Sequence, residues 1–425
     1  MKVWLVKVGE QLPVGISKAD WQGRTGLLAA FLARRGHDVT WWSSTFDHVR
    51  KQQQFKTDQN ITITPGLELR LLRGCGYARN VSIQRLRDHL QIARKFRAAA
   101  AESETPDIIV ASLPTIELCK ASVEYGARVG IPVVLDMRDM WPDIFADVLP
   151  RPLRPLGRLL LSPWYLQARQ TCARATAIIG ITDQFVEWGV RRAGRPRGPL
   201  DRTFPIPYDA TEPANDRLAA ADRFWSDFGL QRNDHLTVCY LGSMGRQLDL
   251  VHVIDAAAIL NARNRPIRFV LCGRGERLDS YRRRARHLSN IYFPGWIDAA
   301  QVWSLMRRSD VGLDPLPDRY DFVSNVNNKA VEYLSAGLPI ISSPRRGVLH
   351  DLLARESCGL SYSPGSSDEL VGLLEQVQAD REALQGMAVS ARRLFERHFS
   401  ADVVNERLTK YLTEVAAVTP PRPSR

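Results

Sequence analysis

The chain has 425 residues, 44% of them hydrophobic and 24% charged, enough apolar material for two cores and too much for a disordered polymer. Its net charge of +12 suits phosphate-bearing substrates or an anionic membrane surface. No helix-turn-helix, zinc-finger or RNA-recognition pattern accompanies that charge, so nucleic acid is not an expected partner.

The opening residues 2–8 read as a first strand rather than a signal peptide, and no apolar run approaches the ~18 residues that span a bilayer. A loop from Gly9 to Gly26 follows, too long for a bare turn. Strand-like runs at 38–43, 68–73, 107–111, 132–137 and 176–182 then alternate with helical segments at 24–35, 83–103 and 116–129. Residues 107–111 and 132–136 are nearly uninterrupted apolar runs, as expected of parallel strands covered on both faces. Residues 193–216, rich in Pro, Gly and charge, break the rhythm. It restarts with strands at 236–243, 267–273, 290–293 and 311–314 and helices near 249–262 and 276–287. Two doubly wound α/β domains are expected, 1–205 and 206–400, with a helix at 401–417 packing back on the first and a disordered tail at 418–425. The six cysteines, Cys75, Cys119, Cys172, Cys239, Cys272 and Cys358, form no Cys-x-x-Cys pair and no metal-ligand spacing with histidine. Reduced thiols, a cytoplasmic setting and no bound metal are therefore expected.

The most informative stretch is Asn325-Val-Asn-Asn-Lys-Ala-Val-Glu-Tyr-Leu-Ser-Ala-Gly-Leu-Pro, running on to residue 343. It reads as a polar loop, a short helix and a buried strand. Asn327, Asn328 and Lys329 place hydrogen-bonding groups and one cation at the helix start, and Glu332 lies about one turn further in. Gly337 and Pro339 end the helix and open the strand. A helix N-terminus offers unpaired N–H groups and partial positive charge, which suit a phosphate. A carboxylate one turn in can accept two hydrogen bonds from a sugar diol. One short element can thus hold both ends of a nucleotide diphosphate, although an ordinary surface helix has the same pattern.

Two glycine loops precede it. Leu241-Gly-Ser-Met-Gly-Arg sets Gly242, Ser243 and Gly245 beyond a strand end, with Arg246 as a phosphate partner. Leu271-Cys-Gly-Arg-Gly-Glu repeats the theme at Gly273 and Gly275, where a tight strand-to-helix turn is an equal explanation. In the first half, Asp136-Met-Arg-Asp-Met-Trp-Pro places Arg138 and Asp139 at a strand's carboxyl end. An Arg there can stabilise charge on a departing diphosphate, bind an acceptor phosphate, or pair with an Asp to staple the loop. Asp136 is read as pointing into the sheet. His37 is read as a helix-terminal residue, and the other histidines sit in no motif.

In this order the features of the second half resemble the nucleotide-sugar domain of family 4 retaining glycosyltransferases. Those enzymes have the GT-B fold, two facing Rossmann-like domains with an interdomain cleft. Glu332-Tyr-Leu-Ser-Ala-Gly-Leu-Pro-Ile is similar to the second half of that family's Glu-x7-Glu motif. The first Glu falls at position 324, where this chain has Ser324, and the usual Phe-Gly loop is replaced by Asn325-Val-Asn-Asn-Lys. The pattern Asn-x-x-x-Lys-x-x-Glu-Tyr is similar to O-antigen and capsule transferases. Arg138-Asp-Met-Trp-Pro, with Arg138 in place of the family's His, is similar to the N-acetyl-fucosamine transferase subgroup.

The resemblance implies that Glu332 binds ribose hydroxyls, that Lys329 and the helix start at Asn328 bind the diphosphate, and that Ser324, Asn325 or Asn327 face the donor sugar. Gly242, Ser243, Arg246 and Gly273 complete the donor site. Arg138, Asp139 and Lys329 are the candidate catalytic residues; Gly15, Lys18 and Arg24 are candidates for the acceptor or diphosphate. The implied reaction is retaining transfer from a UDP-sugar to a polyprenyl-diphosphate-linked or glycan acceptor in surface polysaccharide biosynthesis. No metal or other cofactor is implied, with Lys329, Arg138 and the helix dipole taking the ion's part. Two other readings stay open. A GT-B sugar-nucleotide 2-epimerase would require acid/base carboxylates and histidines in the cleft. A non-catalytic transferase serving as a partner subunit would explain the missing first Glu. Basic residues mixed with Leu and Trp at 151–165, and the basic helix near 83–99, fit either anionic headgroups at the inner face of the plasma membrane or a solvated surface.

Overall fold

The computed structural model describes residues 1–14, 23–147, 149–230 and 235–418. Gly15 and Lys18 lie outside the described residues, as does the expected tail beyond Val418. Two compact units are present: Met1–Pro205 together with Val404–Arg425, and Ile206–Val403.

The first unit is built on strands β1 (Lys2–Val6), β2 (Asp38–Ser44), β3 (Gln59–Thr64), β4 (Leu67–Leu72), β5 (Ile108–Leu113), β6 (Val133–Met137), β7 (Ala177–Gly180) and β8 (Arg202–Thr203). They form one sheet in the order β8-β7-β6-β5-β1-β2-β4-β3. All pairings are parallel except that of β3 with β4. Strand β3, not expected from the sequence, is an antiparallel edge strand. Its alternation of half-exposed and exposed residues lacks the apolar density that marks the interior strands.

The alternation of side chains along β1 divides the core in two. Val3 and Leu5 join Leu28 and Leu32 of the helix Arg24–Arg34. They also join Leu408 and Leu412 of the helix Ala401–Val418, which belongs to this unit from Val404 onward. Trp4 points to the opposite face. There it stacks on Tyr125 at 5.1 Å and meets Trp42 at 5.1 Å and Phe96 at 6.2 Å edge-on, the arrangement that aromatic quadrupoles favour.

The second unit carries β9 (Leu236–Leu241), β10 (Ile267–Cys272), β11 (Ile291–Gly295), β12 (Val311–Pro315), β13 (Ile340–Ser343) and β14 (Gly359–Ser361). The order is β11-β10-β9-β12-β13-β14, parallel throughout. Counted within the unit this is 3-2-1-4-5-6, the doubly wound order whose direction reverses between β9 and β12. Strands β9 and β10 are buried at every position, which is why their sequences run apolar rather than alternating. The helix expected at 276–287 is shorter, Leu278–Arg284. The preceding loop is tied down instead, the Arg277 amide donating to the Met244 carbonyl at 3.0 Å.

Candidate functional site

In an open α/β sheet, ligands bind beyond the carboxyl ends of the strands where the winding reverses. In the second unit that point lies beyond β9 and β12, and the helix Asn328–Ser335 starts there. Asn327 is its N-cap, its side-chain oxygen accepting from the Ala330 amide at 3.0 Å. The Asn327 amide nitrogen donates to Asp314 at 2.6 Å. Lys329 Nζ donates to the other oxygen of the same carboxylate at 2.6 Å. Asp314 is fully buried at the end of β12, and the sequence offered only a lone acid in an apolar run as its signal. Lys329 also lies 5.2 Å from the centre of the Tyr240 ring. The ammonium is therefore held at the strand ends by a buried anion beneath it. Gly337, at φ +70°, closes the helix and lets the chain enter β13.

Glu332 is partly buried in the body of this helix, and its Oε1 accepts from the Tyr208 hydroxyl at 3.1 Å. Burial raises the Glu332 pKa to about 7, the Tyr208 hydrogen bond opposing that shift. The Tyr208 hydroxyl is pushed well above its ordinary value by burial and by Glu332, so it remains the donor. Tyr208 lies in the segment read as a break between domains, where nothing in the pattern marks it. Asn325 has a buried side-chain oxygen with no hydrogen-bond partner among the described residues. Ser324 is buried, while Asn328 is exposed at the first helical position.

The two glycine loops are packed on each other. A Cβ at Gly273 would stand 1.7 Å from the Gly242 carbonyl oxygen, and one at Gly275 would stand 2.3 Å from that of Met244. Met244 N–H donates to the Arg274 carbonyl at 2.9 Å. The need for glycine at 273 and 275 thus already follows from loop-on-loop packing. The Ser243 carbonyl accepts from the Tyr240 hydroxyl at 2.8 Å, which sets the loop's direction. Arg246 is 82% exposed and pairs with exposed Glu276 at 3.0 Å. That is a solvated surface pair.

The corresponding place in the first unit is filled by its own charges. Glu10, in the long loop, acts as the cap of the helix Arg24–Arg34. It accepts from the amides of Thr25 (2.7 Å) and Gly26 (3.2 Å) and from the Thr25 hydroxyl (2.7 Å). Arg138 bridges Glu10 at 2.8 Å and Asp136 at 2.7 Å. Arg24 also holds Asp136, at 3.1 Å, and donates to the carbonyls of Phe204 (2.9 Å) and Pro205 (2.5 Å). Burial works to raise the Asp136 pKa, but Arg24 and Arg138 outweigh it and hold the carboxyl below its usual range. Lys7 donates to the Pro114 carbonyl at 3.1 Å; burial, aided by Arg138, lowers its pKa to about 8.

Two expectations change here. Arg24, read as a loop cation for the acceptor or diphosphate, is a buried staple whose donors are spent on Asp136 and two carbonyls. Of the readings open for Arg138, the geometry carries the ion-pair staple. Asp139 accepts from the Met140 amide at 2.8 Å and Trp141 Nε1 at 3.2 Å, and so shapes the turn after β6. Among the described residues no group of three or more His, Cys, Asp or Glu side chains is placed to hold a metal ion.

Comparison with known proteins covers most of the chain. The family model for glycosyl transferase 4-like domains matches residues 23–209, and that for glycosyl transferases group 1 matches residues 222–394. Sucrose-phosphate synthase from Thermosynechococcus elongatus is similar in structure (TM-score 0.72, 15% identity, 98% of this chain and 99% of that one). So is HepE of Anabaena, solved in complex with UDP (TM-score 0.64, 15% identity, 97% and 100%). WaaG, a glycosyltransferase involved in lipopolysaccharide biosynthesis, is similar at TM-score 0.63, 16% identity, 97% and 99%. No curated protein matches the chain by sequence.

Proposed function

The chain is a glycosyltransferase of the GT-B fold, and we propose that it transfers a sugar, with retention, from a UDP-linked donor held by its second unit. The observation that carries this reading is the helix start at the switch point, where Lys329 stands over buried Asp314 and Glu332 lies one turn behind. HepE, which shares the fold, has been solved with UDP and with UDP-glucose, which supports the same donor class here.

In this reading the first-turn amides and Lys329 receive the diphosphate. Asp314 holds the ammonium in place, so little reorganisation is needed when charge develops on the departing phosphate. Lys329 and the helix dipole supply the positive charge for that step, and the proposed reaction calls on no metal or cofactor. Tyr208 orients the Glu332 carboxylate, which in its charged form accepts the ribose diol. The Asn325 oxygen, without a hydrogen-bond partner among the described residues, is suited to a hydroxyl of the donor sugar. The acceptor is a lipid-linked or glycan substrate of surface polysaccharide synthesis, met at the inner face of the membrane.

The test is a calorimetric titration with UDP followed by a donor screen that reads UDP release with crude lipid-linked acceptors. Binding of UDP and acceptor-dependent release are expected. Absence of UDP binding would remove the reading. Turnover without acceptor would point to a 2-epimerase, and binding without turnover to a non-catalytic partner subunit.

A further inference from the structure

The helix Arg154–Leu160 in the first unit buries one residue, Gly157, whose missing side chain lets Leu149 approach. Around it Leu153, Leu156, Leu159 and Leu160 are 49%, 54%, 69% and 69% exposed, and Leu166 of the next helix, Ser162–Arg174, is 57% exposed. Across a groove of about 320 Å³ stand Val81 and Ile83, 75% and 74% exposed. The groove is lined by Leu86, Ile116, Trp141, Phe145, Leu161 and Trp164. Single exposed leucines are ordinary, but a contiguous set around an apolar groove marks an interaction surface.

The segment beside it is basic, while the acids against the groove lining, Glu117 and Asp139, accept from the indole N–H groups of Trp164 and Trp141. Residues 149–176 contain no Asp or Glu, yet carry Arg151, Arg154, Arg158, Arg169 and Arg174. On the other side of the groove the helix Ile83–Ala101 exposes Ile83, Arg87, Leu90 and Arg94, a stripe of alternating apolar and cationic side chains at helical spacing. Arg85 lies at the groove, its guanidinium 4.4 Å from the centre of the Trp141 ring. Among the described residues no helix is long and apolar enough to cross a membrane. Leucines projecting from a short helix, with arginines around them and no acid between, match the depth profile of an anionic bilayer: hydrocarbon below, phosphate at the level of the guanidinium groups.

We propose that this face of the first unit docks on an anionic lipid bilayer. Leu153, Leu156, Leu159, Leu160 and Leu166 enter the headgroup boundary, and the groove between Trp164 and Ile83 receives a hydrocarbon chain. That this chain belongs to the sugar acceptor rests on the transferase reading above; the docking itself does not.

The test is flotation of the full chain with phosphatidylcholine vesicles containing about one third phosphatidylglycerol, against pure phosphatidylcholine. Wild type is expected to float with the anionic vesicles and to stay behind with the neutral ones. The variant Leu159→Glu/Leu160→Glu should lose at least about tenfold in vesicle affinity. Its UDP affinity and thermal midpoint should not move, because neither side chain is buried. Leu159→Phe/Leu160→Phe should float as wild type does. Failure of wild type to float, or equal flotation of the glutamate variant, would overturn the proposal. So would light scattering that shows a wild-type dimer turned monomeric by the same variant, since a second copy would then cover the face. UDP binding without flotation would sink the docking and leave the transferase; flotation without UDP binding would do the reverse.

Discussion

The two sheets reverse their winding at equivalent places, beyond β1 and β5 in the first unit and beyond β9 and β12 in the second, yet the strand ends there are finished in opposite ways. In the first unit Glu10 occupies the helix N-terminus that would otherwise receive an anion, and Arg138, Arg24 and Asp136 close the network around it. In the second unit the N-cap satisfies one amide of the first turn, the buried anion lies beneath Lys329, and the Asn325 oxygen lacks a partner among the described residues. The difference teaches that topology supplies a place for a ligand, while side-chain charges decide whether that place is open or already filled. A saturated network stabilises its unit; an incomplete one is available for binding.

The largest expected effect breaks the saturated side. Arg24→Leu leaves Asp136, with a side chain only 2% exposed, short of a partner, and should destabilise the first unit by about 3–5 kcal/mol in denaturant unfolding. A loss under about 1 kcal/mol would mean the network is not holding that unit together. On the open side, Lys329→Ala should slow transfer at saturating donor by about 2–4 kcal/mol, read as kcat. Unchanged turnover would remove the contrast between the two sites.

Glu332→Gln should weaken UDP by about 1–2 kcal/mol, because an amide offers the diol one acceptor where the carboxylate offers two. The same variant exposes a pH effect. Glu332 titrates at about 7 in the fold against 4.5 for an unperturbed side chain, so the folded chain holds its proton more tightly than the unfolded one. Its contribution to stability is full below about pH 4.5 and is lost as pH rises through about 7. Donor affinity should run the other way, rising through that window as the carboxylate ionises, and Glu332→Gln should flatten both curves. At the small end, Arg246→Ala should leave UDP affinity and turnover unaltered, since its ion pair with Glu276 is a solvated one. A clear loss of affinity would return Arg246 to the donor site.

Much of the fold was legible because buried parallel strands write themselves as apolar runs. The runs at 107–111 and 132–137 became β5 and β6, and the restart at 236 became β9. The helix from Asn328 was legible as well, since its cap, cation and terminating glycine lie within a dozen residues. The edge strand β3 was not, because half-exposed residues dilute the apolar signal. Nor were Glu10, Asp314 and Tyr208 visible as site residues. Each is a single polar residue whose partners lie far along the chain, such as Arg138, Lys329 and Glu332.

By itself, then, the sequence determined what is local: which segments bury one face or two, where helices begin and stop, and that a helix start at 328 carries a cation and a carboxylate. Only the tertiary structure decided which charges meet. Local patterning depends on neighbours three or four positions apart, whereas an ion pair depends on two side chains reaching the same few ångströms from distant strands. Arg24 and Lys329 are both cations in the first turn of a helix; one is consumed by Asp136 and two carbonyls, and the other is held at a strand end above Asp314.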